Sequence, residues 1–145
     1  MRHADRWTVL LADVVRAVCV EGLKVNLQLA PLRHDALALG AHLPMSSAGV
    51  AMRLSVQMDT AVADRLLQAL GGGSAPEDAD LLSAAVGECA NLLGGRLAGF
   101  VMGELAPLEM GTPCVGSLPP VDHQAVTLNY AESTGGFRIR LEEIG

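Results

Sequence analysis

The chain has 145 residues, which is the length of one compact domain with a hydrophobic core of its own. Half of its residues are hydrophobic and only 18% are charged, a composition that excludes a disordered chain. Ten basic residues stand against sixteen acidic ones, and this net charge of -6 argues against a nucleic-acid-binding protein, which needs a basic surface to neutralise phosphates.

Two patterns follow one another at the start of the chain. Apolar side chains recur at three- and four-residue steps over residues 4–20, which predicts an amphipathic helix that ends near Gly22. Apolar and polar residues then alternate over residues 23–29, as in a half-buried strand, and Pro31 is expected to end it.

Two further strands and a helix are predicted in the next segment. Alternating apolar residues indicate a strand over residues 37–41, which ends before Pro44, and another over residues 50–58. Asp59 is a suitable N-cap for a helix that runs to Leu70, and the run Gly71-Gly72-Gly73 is expected to end that helix.

A long helix and a β-rich tail complete the chain. The helix is predicted over about residues 77–102, and its acidic first turn suits the positive end of a helix dipole. Short strands are predicted near residues 105–110, 125–130 and 137–141, the last two joined at Thr134-Gly135-Gly136. Together these elements predict one α+β domain over residues 1–145, with three helices and a sheet of about six strands.

Cysteine usage and hydropathy bear on where the protein resides. Its three cysteines lie far apart, and neither they nor the four histidines have metal-ligand spacing, so no disulfide framework or metal site is expected. The longest stretch without Asp, Glu, Lys or Arg, residues 36–52, is interrupted by histidine, proline and serine, and a spanning helix needs about 20 mostly apolar residues. We therefore expect a cytoplasmic protein with no membrane segment.

The helix over residues 80–100 carries the most specific pattern. Glu88 and Asn91 are three residues apart, so their side chains are neighbours on one face of the helix. The apolar residues cluster on the other side: Leu82, Ala85, Cys89, Leu92, Leu93 and Phe100. Around the polar pair the residues are small: Ser83, Ala84, Gly87, Ala90, Gly94, Gly95 and Ala98. Because glycine in a helix costs roughly 0.5–1 kcal/mol relative to alanine, we expect another body to approach closely, either an element of the same domain, a twin subunit or a separate partner.

A family resemblance favours a separate partner. The run Gly87-Glu88-Cys89-Ala90-Asn91-Leu92-Leu93-Gly94-Gly95 resembles the Gly-Glu-x-x-Asn-x-x-x-Gly motif of the CheC/CheX/FliY chemotaxis phosphatases. The surroundings resemble CheX in particular, in the order strand 48–58, helix 59–70, Gly71-Gly72, then Asp80 and Ser83 before the motif and Pro113 with Val115 after it. The similarity extends over about residues 49–115. A single Glu-x-x-Asn also favours CheX, because CheC-like relatives usually carry two such sites.

The resemblance implies a function and a role for each site residue. CheX-like proteins dephosphorylate CheY-type response regulators, so Asn91 is expected to hold the attacking water and Glu88 to dock on a lysine of the regulator. The regulator's own acidic residues hold the Mg²⁺ of such reactions, so no metal or other cofactor of this chain is implied. Asp80, Ala84, Gly87 and Gly95 are then expected to contact the regulator.

Several alternatives stay open at this point. A protein of the same fold could bind a receiver domain without hydrolysing anything, or could be a dimerisation module that buries the small-residue face. Cys89 departs from the family pattern and is expected to pack in the core, whereas Arg96 could lie along the edge of the apolar face or contact the regulator. The resemblance also implies a homodimer, for which the two C-terminal strands could supply a sheet edge.

Overall fold

Seven strands form one antiparallel sheet in the part of the chain that a computed structural model describes, residues 3–31, 37–100, 107–116, 118, 124–133 and 135–144. The helices are α1 (Ala4–Val15), α2 (Thr60–Ala69) and α3 (Ala79–Phe100), and a π-helical turn, Arg16–Gly22, extends α1. The strands are β1 (Gln28–Ala30), β2 (Leu39–Ser47), β3 (Val50–Met58), β4 (Glu109–Met110), β5 (Cys114–Val115), β6 (Ala125–Glu132) and β7 (Gly135–Glu143). The predicted α+β fold with three helices is confirmed. The tail contributes two short strands, β4 and β5, where one was predicted.

The strand order is β1-β6-β7-β3-β2, and β4 and β5 both pair with the outer side of β2. All pairings are antiparallel, so alternate residues of neighbouring strands share a face of the sheet. The face that packs against the helices is apolar: Ala41, Leu43, Met45, Met52, Leu54, Val56, Met58, Phe137, Ile139 and Leu141 are buried there. The residues between them, such as Arg53 and Arg138, lie on the other face. Burying one face of the sheet against the helices creates a single core beneath α3.

Pro44 does not end a strand, which corrects one prediction. The strand β2 continues through it to Ser47, with Pro44 opposite Arg53 of β3. The Pro44 carbonyl accepts a hydrogen bond from the amide of Gly111, 2.8 Å away, on the side of β2 that faces away from β3. A residue's N–H and C=O point to the same side of an antiparallel strand, so the donor that proline lacks is missing on that outer side, between β4 and β5.

The first strand is shorter than predicted, because only Gln28–Ala30 pairs with β6. Lys24 has a left-handed backbone (φ 60), and the following residues have no strand partner within the described chain. Val25 and Leu27 are nevertheless buried in the core. The amide of Leu27 donates to the carbonyl of Val25, 2.9 Å away, so the backbone turns here. The alternation that predicted a strand over residues 23–29 therefore comes from side-chain burial along an unpaired segment.

The ends of α2 and of the last hairpin also differ from expectation. Asp59 precedes α2 as predicted, but its side chain forms no cap hydrogen bond; instead Oδ2 accepts from the amide of Gly136, 2.8 Å away. Gly135 and Gly136 belong to β7 rather than to the turn, since they pair with Glu132 and Ala131. Thr134 lies outside the described residues.

The predicted edge for a homodimer is wrong for one of its two strands. The strand β7 pairs with β6 on one side and β3 on the other, so it has no edge. In the described chain β1 covers β6 only at Asn129–Ala131, which leaves residues 125–128 without an outer partner strand. The homodimer itself stays a prediction.

Candidate functional site on helix α3

The start of α3 is fastened to α2 by the carboxylate of Asp64. Its Oδ1 accepts from the amide of Ala75 (2.8 Å), and its Oδ2 accepts from the Ser74 hydroxyl (2.8 Å) and the Gln68 amide (2.9 Å). The backbone hydrogen bond from Ala75, together with the two side-chain hydrogen bonds, lowers the pKa of Asp64 below its usual value. These contacts hold the loop that leads from α2 into α3.

Asp78 supplies the N-cap of α3, which therefore begins at Ala79 rather than at residue 77. The Asp78 Oδ1 accepts a hydrogen bond from the amide of Leu81, 3.1 Å away. Its own amide donates to the carbonyl of Ala75 (3.0 Å), so the residue stays in the preceding turn. The helix is described to Phe100, whose side chain lies outside the described part, as does Met102.

The inner side of α3 is enclosed by α1, α2 and the strands β2 to β5. Leu82, Ala85, Cys89 and Leu93 are buried as predicted, whereas Leu92 is half-buried. The prediction missed Val86, Ala90 and Leu97, which are buried as well. Because α3 packs against two other helices as well as the sheet, apolar residues occupy most of its circumference. The difference between its apolar and polar sides, from which the buried face is predicted, is therefore weak.

Five of the predicted site residues have their outer surface free. Asp80, Ala84, Glu88, Asn91 and Gly95 are all exposed, and their spacing of four, four, three and four residues places them along one face of α3. We call these five residues the α3 ridge. The side chains of Glu88 and Asn91 form no hydrogen bond or ion pair with the described residues, so both are available to another molecule.

Gly87 is not on this ridge, which corrects its prediction as a partner contact. It is buried, and a methyl group in its place would lie 2.9 Å from Cγ2 of Val115 in β5. Gly94 is likewise buried, and a methyl group there would lie 3.1 Å from Cδ2 of Leu43. Both positions favour glycine because the chain's own strands approach α3 closely.

Gly95 has a different environment. It is exposed, and a methyl group in its place would lie 3.9 Å from the sulfur of Met110, which is an ordinary van der Waals distance. Packing within the chain therefore does not require glycine here. The small-residue pattern thus has two causes, close internal packing at Gly87 and Gly94 and a bare outer surface at Gly95.

Cys89 packs in the core, as the sequence predicts. Its thiol forms a hydrogen bond with Cys19 of the π-helical turn, and both cysteines are free and buried. That hydrogen bond and the loss of solvent raise the pKa of the Cys89 thiol well above its usual value, so it stays protonated and unreactive. The contact with Cys19 was missed because 69 intervening residues give no local pattern that pairs them. Arg96 is exposed on α3.

Among the described residues, no group of three or more His, Cys, Asp or Glu side chains is arranged so that it could hold a metal ion. Nor does any described helix have the length and apolar character needed to cross a bilayer.

Comparison with solved structures identifies the fold. A CheC-like superfamily protein from Shewanella sp. PV-4 is similar over 100% of both chains, with a TM-score of 0.77 and 17% identity. CheX from Vibrio vulnificus is similar over 93% of both chains, with a TM-score of 0.74 and 18% identity. The chain has the CheX fold. No family model matches its sequence, and no curated protein matches it in sequence.

One more structure with the CheX fold contains two proteins. It is the CheX-CheY-BeF3-Mg²⁺ complex from Borrelia burgdorferi. One chain of that complex is similar to the present chain, with 94% of each covered, a TM-score of 0.69 and 11% identity. At these low identities the likeness extends to the architecture alone, so the roles of individual residues of this CheX-like chain must be argued from its own surface.

Proposed function

We propose that this chain is a phosphatase of a phosphorylated CheY-like response regulator, in which Asn91 positions the attacking water and Glu88 anchors the regulator. The observation that carries the proposal is the α3 ridge, on which an exposed carboxylate and an exposed amide lie one turn apart with no partner among the described residues. The solved CheX-CheY complex supports a CheY-like partner for a chain of this fold.

An amide at position 91 suits the chemistry of phosphoaspartate. An acyl phosphate is already activated, so the phosphatase needs no nucleophile of its own and has only to hold a water in line with the phosphorus. The Asn91 amide offers one acceptor oxygen and two donor hydrogens without carrying charge. A carboxylate in its place would be repelled by the anionic phosphoryl group. Mg²⁺ belongs to the regulator in this proposal, and this chain contributes the water-positioning group.

Glu88 supplies the complementary charge. It is exposed, and its carboxylate can pair with a lysine of the regulator's active site, which sets how far Asn91 reaches toward the phosphoryl group. Asp80 lies two turns earlier, so the ridge carries two acidic side chains and no basic one. Acidic charge on the ridge would attract a basic surface around that lysine and speed association at low ionic strength.

The proposal is tested with purified CheY-type receivers that are phosphorylated with acetyl phosphate and Mg²⁺. We expect Asn91→Ala to lower kcat for phosphate release by roughly 10²-fold or more while receiver binding persists, because only the positioned water is lost. Glu88→Gln is expected to raise KM instead, since it removes an anchor that acts in the bound ground state as well. Asn26→Ala is the matched control, because Asn26 is also exposed but lies outside the ridge.

Two results would contradict the proposal. Unchanged kcat in Asn91→Ala would reject water positioning by this residue. Receiver binding without any phosphate release by the unaltered protein would instead identify a binding module of the CheX fold.

A further inference from the structure

We propose that the same regulator also inserts an apolar side chain into a pocket beside the α3 ridge, with Val115 as the contact that selects it. This inference rests on the proposed function. The pocket lies where β5 meets the first half of α3, and we call it the β5 pocket. It is lined by Leu37, Leu39, Gly40, Ser83, Val115 and Gly116.

The geometry places the β5 pocket next to the ridge. Val115 touches α3 at Gly87, the residue that precedes Glu88, and this close approach requires a glycine there. Ser83 forms the helix side of the pocket, five residues before Glu88, which is about 7.5 Å along the helix axis. Gly87, where Val115 contacts the helix, lies about 40° around the axis from Asn91, so a partner footprint of about 800 Å² centred on the ridge includes this side of it.

The ridge alone is too small to hold a partner. From Asp80 to Gly95 it is about 22 Å long and about 10 Å wide, which is on the order of 220 Å². A specific protein interface buries about 800 Å² on each partner, so roughly seven-tenths of the contact must come from neighbouring surface. Two of the five ridge residues, Ala84 and Gly95, also have almost no side chain to contribute.

The chemistry of the pocket favours an apolar occupant. Its volume is about 460 Å³, enough for a large side chain. Ser83 and Gln57 contribute the only polar side chains of its lining, and none of the lining residues is charged. Val115 is 48% exposed, although valine in a strand is usually covered on one face. A charged group that entered the pocket would lose water without gaining a counter-charge, whereas an apolar side chain would gain from leaving water. Anchors of this kind carry much of the binding energy of protein interfaces.

The first test compares two exposed apolar residues on short strands. Val115→Asp is expected to raise KM for the phosphorylated receiver about tenfold or more, with kcat unchanged, because the anchor acts in binding and not in the placement of water. Leu29→Asp is the matched control, since Leu29 is 65% exposed on β1, about 24 Å away across five strand spacings. Ser83→Leu fills the pocket from the helix side and is expected to raise KM as Val115→Asp does. Thermal unfolding of each variant shows whether its fold is retained.

A binding test needs no turnover. In a Cys114→Ser background, which removes the exposed cysteine, Val115→Cys places a thiol at the pocket and Leu29→Cys places one on the far edge. With Asn91→Ala added to preserve the phosphoryl group, the phosphorylated receiver should slow iodoacetamide alkylation at position 115 several-fold and leave position 29 unaffected.

The outcomes separate this inference from the proposed function. If Asn91→Ala abolishes hydrolysis while Val115→Asp behaves like Leu29→Asp and the thiol at position 115 is not protected, the phosphatase proposal stands and the β5 pocket is rejected. If the receiver protects position 115 but Asn91→Ala leaves hydrolysis unchanged, the docking surface stands and the role of Asn91 is rejected.

Discussion

Replacing Gly95 by alanine should stabilise the protein and weaken its activity at the same time. A helix-interior glycine is less favourable than alanine by about 1 kcal/mol. The added methyl group would lie 3.9 Å from the Met110 sulfur, so no steric cost offsets this gain. We therefore expect the Tm to rise by roughly 2–4 °C, measured by calorimetry. Gly94→Ala is the contrasting variant, since its methyl group would lie 3.1 Å from Leu43 in the core, and it should gain less or lose stability.

The effect on activity follows from where that methyl group points. On the exposed ridge it would separate the regulator from the helix one turn beyond Asn91, and a displacement of about 1 Å at a reacting centre can cost on the order of 10²-fold in rate. We expect kcat/KM for phosphate release to fall by about 10-fold to 10²-fold. Gly99→Ala, another exposed helical glycine with open space around it, lies two turns beyond Asn91, so it should stabilise with a smaller loss of activity. A Gly95→Ala protein that is more stable and fully active would refute the idea that the ridge must stay bare for a docking partner.

Two further predictions concern stability. Asp64→Asn should lower the urea midpoint at neutral pH, because the ionised carboxylate of Asp64 stabilises the fold. Since its pKa is lowered in the folded protein, this stabilisation is present above the ordinary aspartate pKa of about 3.9 and is lost as the folded carboxylate takes up its proton. The difference in urea midpoint between the variant and the unaltered protein should therefore shrink as the pH falls from about 5 toward 2. A pH-independent difference would contradict this. Arg53→Met should cost about 1.5–3 kcal/mol in urea unfolding, because Nε and Nη2 of Arg53 both lie 2.9 Å from Oε1 of Glu142, whose side chain is only 2% exposed, and the buried carboxylate would lose these charge-assisted contacts. Stability within 1 kcal/mol of the parent (about the effect of an exposed pair) would be inconsistent with that burial.

Secondary structure was predictable where a regular period of burial coincides with backbone pairing, and residues 23–29 show that the period alone does not suffice. The core-facing side chains of β3 alternate strictly from Met52 to Met58, and the prediction of that strand is confirmed. The prediction at Pro44 was wrong because a proline disrupts a sheet only if its missing donor faces a paired strand, and which side it faces depends on the neighbouring strands. The π-helical turn that extends α1 was missed for a related reason, since its apolar spacing differs little from that of an α-helix.

The site was predictable in part for equally physical reasons. The spacing of Glu88 and Asn91 fixes their common direction in any helix, so their shared exposed face could be predicted locally. A glycine in a helix indicates that another group approaches the backbone closely, but it does not indicate which group that is. At Gly87 the close neighbour is Val115, 28 residues later in the chain, and only the tertiary fold brings the two together. The β5 pocket could not be predicted for the same reason, since its lining comes from four separate segments.

The enclosure of α3 by two helices and four strands has a consequence for kinetics. A helix anchored along its whole rear side offers its amide protons to deuterium only when the entire domain opens, so we expect the slowest exchange of the chain at its central turns. Such a helix does not need to rearrange when a partner binds, so α3 loses little conformational entropy in forming the complex. If the proposed function holds, we therefore expect no gating motion of α3 to limit turnover.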